Sequence, residues 1–79
     1  MTRSVYSKRY QSLRQILKRI RKEAKLPQKK LSAMLDMPHS FVCKYEQGER
    51  RLDIVELMDI ADILEIDIHE IISELQKIK

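Results

Sequence analysis

The stretch PHSFVCKYE, residues 38–46, holds the chain's only phenylalanine and only cysteine beside a histidine, a lysine and a glutamate. His39 and Cys43 stand four apart, a spacing that two metal ligands on one helix face can use. A structural zinc site needs four ligands, and His69 is the only other histidine. No metal and no cofactor is therefore expected. Paired carboxylates, a nucleophile beside a base and a phosphate-cradling glycine loop are all missing from the sequence, so an enzyme is not expected either. Cys43 could be oxidised if it lay on an exposed face; the simpler reading is a small half-exposed residue with no assigned role. His69 reads as a solvated surface residue, and Tyr6 and Tyr10, one turn apart, as packing on the first helix.

Whatever PHSFVCKYE does, other elements must hold it. Seventy-nine residues make one domain. With one glycine and two prolines, a turn-rich β-protein is excluded, and the abundance of Leu, Ile, Lys, Glu and Arg indicates an all-helical chain. No apolar run approaches the roughly eighteen residues of a membrane span, and the N-terminus lacks a secretory apolar region. A single cysteine fits a reducing compartment, so a cytoplasmic location is expected. The net charge of +4 conceals a polarity. Residues 1–30 carry eleven Lys or Arg against Glu23 alone, whereas residues 52–76 carry eight Asp or Glu and no Lys or Arg. One end should attract a polyanion and the other repel it.

Hydrophobic spacing predicts five helices. The first runs from about Ser7 to Lys25 with Leu13, Ile16, Leu17, Ile20 and Ala24 on one face. Pro27 stops it from continuing. The second, Gln28 to Leu35, turns Leu31, Met34 and Leu35 inward. The third runs from about His39, after Pro38, to Gln47, with Gly48 closing it. Asp53 and Glu56 have capping-box spacing for a fourth helix whose inner face is Ile54, Leu57, Met58, Ala61 and Leu64. Asp67 and Glu70 repeat that spacing and open a fifth, over 67–78, with a stripe of Ile68, Ile71, Ile72, Leu75 and Ile78. Residues 1–6 read as a loose arm of a single domain spanning 1–79.

Two short helices joined by a tight turn, the second ending at glycine, make a helix-turn-helix. The segment QKKLSAMLDMPHSFVCKYEQGERRLD resembles the Cro/lambda-repressor-like family of small bacterial and phage regulators. Gln28, Leu31, Val42, Glu46 and Gly48 stand at the family's motif positions, and MDIADILEID resembles its later helices. The resemblance implies a compact five-helix domain that binds double-stranded DNA. It also implies a buried ion pair between Arg21 and Glu46. Three residues depart from the pattern: Ser32 replaces a preferred alanine, Asp36 a usual glycine, and Pro27 a usual Ser or Thr cap.

In such a pair the second helix enters the major groove with its N-terminal residues nearest the bases. That geometry nominates His39, Ser40 and Lys44 as base-reading residues. Phe41 is ambiguous: it either touches a thymine methyl or shields the turn. Gln28 and Lys29 at the start of the second helix, with Arg50 and Arg51 after the third, are the expected phosphate contacts. The fifth-helix stripe, Ile68, Ile71, Ile72 and Leu75, is the expected homodimer surface, with the fourth helix contributing. The expectation is a sequence-specific regulator, a repressor or autoregulator, binding an inverted repeat. The rival is an antitoxin or other interaction module whose acidic C-terminal half neutralises a protein partner.

Overall fold

The computed structural model describes residues 7–78, which form α1 (Lys8–Glu23), α2 (Gln28–Met34), α3 (Phe41–Gln47), α4 (Ile54–Ile63) and α5 (Ile68–Gln76), with no strand among them. The arm expected at residues 1–6, including Tyr6, lies outside the described residues.

α1 starts where Ser7 accepts a hydrogen bond from the Tyr10 N–H at 3.1 Å. It buries Leu13 and Leu17, half-buries Ile16 and Ile20, and leaves Ala24 exposed. Lys25 then takes a left-handed conformation (φ 57°) and turns the chain into Pro27, the residue before α2.

The turn between α2 and α3 is made by Asp36 at φ 58°, the region that favours glycine. α3 begins at Phe41, two residues after the expected start at His39. The correction has a local cause. His39 and Ser40 form a single tight turn closed by the Phe41 N–H on the Pro38 carbonyl at 2.9 Å. The helical ladder opens only with the Lys44 N–H on the Ser40 carbonyl. Gly48 ends α3 at φ 84°, and a side chain there would come within 3.0 Å of the Arg14 guanidinium.

α4 carries the full capping box: Asp53 accepts from the Glu56 N–H at 2.7 Å, and Glu56 accepts from the Asp53 N–H at 3.0 Å. At α5 the Asp67 carboxylate accepts from the His69 N–H instead of the Glu70 N–H that the repeated spacing indicates.

The core centres on Leu17, Leu31, Val42, Tyr45 and Ile60, each wholly buried, with Phe41 edge-on to Tyr45 at 5.4 Å. Four inward assignments are corrected, the exposed Ala24 among them. Met34 is 49% exposed, and Ser32 is buried in α2 beside Leu31. In α4, Ile54 and Met58 are 59% and 49% exposed, and the inner face is Leu57, Ile60, Ala61 and Leu64. α4 is apolar around most of its circumference, so two stripes of helical spacing were available. Packing against the other helices selects one.

Candidate nucleic-acid interface

Glu46 organises the helix pair from inside. Its carboxylate accepts from Arg21 Nε at 2.7 Å and Nη2 at 3.2 Å, and from the Gln28 side-chain amide at 2.8 Å. Arg21 also donates to the Leu26 carbonyl at 2.9 Å, and Arg14 to the Glu46 carbonyl at 3.0 Å. A charge with 2% of its side chain exposed thus ties α1, α2 and α3 together. Beside it, burial pushes the Tyr45 phenol far above its ordinary range; the Glu46 charge adds to this and Arg21 opposes it.

Ser32 fastens the turn itself. Its hydroxyl is wholly buried, accepts from the Val42 N–H at 3.2 Å and donates to the His39 carbonyl at 3.3 Å. The sequence showed only a small residue in place of another small residue.

On the outer side of this assembly His39, Ser40 and Lys44 are exposed, with Cys43 half-buried between them. Gln47, one turn beyond Cys43, is exposed too and extends the edge; the helical period signalled it, although sequence reasoning passed over it. Phe41 does not join them. It is 4% exposed in the core, packed edge-on to Tyr45 and under the Arg50 guanidinium.

The nominated phosphate contacts divide. Lys29 is exposed on α2. Gln28 is half-buried, with its amide group on Glu46. Arg50 lies 4.8 Å above the Phe41 ring, donates to Glu56 at 2.9 and 2.7 Å, and reaches the Arg51 carbonyl. The hydrogen bond to Glu56 raises the Arg50 pKa above its ordinary value, and the same bond lowers that of Glu56. Arg51 lies 4.8 Å over the Tyr10 ring, and the Tyr10 hydroxyl accepts from the Leu52 N–H.

Of the residues nominated for self-association, Ile71 is 3% exposed in the core, and Ile68 and Leu75 are half-buried against it. Ile72 faces outward. The larger exposed apolar side chains of this half are on α4: Ile54, Val55 and Met58. Among the described residues, no helix is long and apolar enough to cross a membrane.

Comparison with known proteins places this arrangement. In structure the chain is similar to an XRE-family-like protein from Pseudomonas syringae pv. tomato str. DC3000. The two are 41% identical, with a TM-score of 0.83 over 90% of this chain and 87% of the other. It is also similar to a point mutant of the restriction-modification controller protein C.Esp1396I, at 25% identity and a TM-score of 0.77 over 90% of each chain. No curated protein matches it. The helix-turn-helix family HTH_3 matches residues 17–71, from the middle of α1 into α5. The chain belongs to this Cro/lambda-repressor-like helix-turn-helix family of DNA-binding transcription regulators.

Proposed function

We propose that this protein is a sequence-specific repressor or autoregulator that binds an inverted repeat as a homodimer, with residues 1–79 acting as one DNA-binding unit. The observation that carries the reading is the exposed edge of His39, Ser40 and Lys44, backed by the buried Arg21–Glu46–Gln28 network. A rigid backing matters because base edges are read by hydrogen bonds that tolerate little misplacement. Lys44 would reach guanine O6 and N7, and His39 and Ser40 would donate or accept at neighbouring bases.

Lys29 and the basic outer face of α1 supply charge that attracts DNA without specifying sequence. The apolar strip of Ile54, Val55 and Met58 on α4, with Ile72 on α5, supports pairing of two copies. A twofold dimer would present two α3 helices to half-sites about 34 Å apart.

Fluorescence anisotropy with a library of duplexes at about 0.15 M salt tests the reading. The expected result is a set of duplexes bound at least about a thousandfold more tightly than random DNA. Equal binding to all sequences overturns it. Lys44→Ala is expected to relax base preference by about 1–3 kcal/mol, and Lys29→Ala to weaken all duplexes alike and flatten the salt slope by about one.

A further inference from the structure

We infer that Ser32, buried in α2 and away from the reading edge, is a positioning residue for base recognition by His39 and Ser40. The inference rests on the regulator reading above. A serine inside a helix usually either points to solvent or bonds back to the carbonyl four residues earlier. Ser32 instead bonds across the turn, to the His39 carbonyl and the Val42 N–H. Its own carbonyl accepts from the Met37 N–H at 3.0 Å. One residue therefore holds the chain on both sides of the His39–Ser40 turn.

The Val42 N–H is one of the first donors of α3, which have no partner within their own helix. A serine directly before a helix usually fills that need with its hydroxyl. Ser40 stands in that place, but its backbone is already helical (φ −84°, ψ −2°) and its side chain makes no capping bond. Ser32 satisfies the Val42 donor from the neighbouring helix, and the exposed Ser40 hydroxyl is left to face a partner. The buried serine does the capping and the exposed serine does the reading.

Selection of bound duplexes from random DNA tests this, using the intact protein and its His39→Ala, Ser40→Ala, Lys44→Ala and Ser32→Ala variants. The first three mark the base pairs that each side chain reads. Ser32→Ala is expected to lose about tenfold of preference at the pairs marked by His39 and Ser40. It should stay within about twofold of the parent at the pair marked by Lys44 and on random DNA. An unchanged preference profile overturns the inference, and so does a uniform loss over all sequences, which is what a merely structural serine gives. Circular dichroism confirms that the variant is helical; if alanine unfolds the domain, Ser32→Cys keeps the volume with a weak acceptor and is judged by the same outcomes. An intact protein with no base preference overturns the regulator reading itself and is distinct from either failure.

Discussion

The Glu46 carboxylate on α3 lies 2.7 Å from Arg21 Nε on α1, 25 residues away in sequence, with only 2% and 9% of the two side chains exposed. Removing one partner leaves the other charged and buried. Glu46→Ala is expected to cost about 3–5 kcal/mol, whereas replacing both by apolar residues of similar size should cost far less. Urea unfolding of the two variants measures the difference.

Asp36 holds φ 58° at the turn between α2 and α3, a conformation that costs a residue with a Cβ about 1–2 kcal/mol. Asp36→Gly removes that strain but adds flexibility to the unfolded chain, so a net gain of about 1 kcal/mol is expected. The melting temperature should rise by about 4–8 °C. A fall would show that the Asp36 side chain stabilises the turn.

Arg50 and Glu56 form a two-bonded pair with Arg50 laid on Phe41. The Arg50 bond lowers the Glu56 pKa, so the folded state holds the ionised carboxylate. The pair's stability is therefore present above the ordinary carboxylate range, about 4 to 4.5, and is lost as pH falls below it. The pair is partly exposed, so its worth is about 0.2–1 kcal/mol. Thermal melts between about pH 7 and 3 should show a smaller acid loss in Glu56→Gln than in the parent. Because the guanidinium is already engaged, Arg50→Ala should lower stability and leave the salt slope of DNA binding nearly unchanged.

The Tyr45 hydroxyl is buried and meets no hydrogen-bond partner among the described residues. Burying a hydroxyl without a bond costs about 1–3 kcal/mol. Tyr45→Phe keeps the edge-on contact with Phe41 and should stabilise the fold by about 1 kcal/mol in urea unfolding. Destabilisation would reveal a partner for the oxygen.

The exposed strip of Ile54, Val55 and Met58 has Asp59 and Asp62 on the same helix. Two copies meeting there bring like charges near one another, which salt screens. Sedimentation equilibrium should show pairing that tightens from about 0.05 to 0.3 M salt, while DNA binding weakens over the same range. Met58→Glu should abolish pairing and leave the helix content unchanged.

Much of the molecule could be read along the chain because the signals are local. Asp53 and Glu56 lie three residues apart and cap the same helix end, Gly48 closes α3 where it stands, and the α1 stripe survives from Leu13 to Ile20 because its exposed face is mostly Lys and Arg. The exposed side of α3 was legible for a similar reason: the helical period puts Ser40 and Lys44 on one side and Val42 on the other.

Tertiary structure decided what period alone left open. α4 has apolar residues on most sides, and packing against the other helices chose Ile60 over Ile54 and Met58. Phe41 and Arg50 were candidates for binding by residue type, but one was drawn into the core and the other onto Glu56. Ser32 looked like a neutral replacement. Only the approach of α3 to α2 gives its hydroxyl the Val42 N–H to satisfy. Local pattern specifies which residues can form a helix and cap it, because those interactions span three or four positions. The partner of a buried polar group is set by whichever helix packs over it, and that is decided only when the whole chain closes around its core.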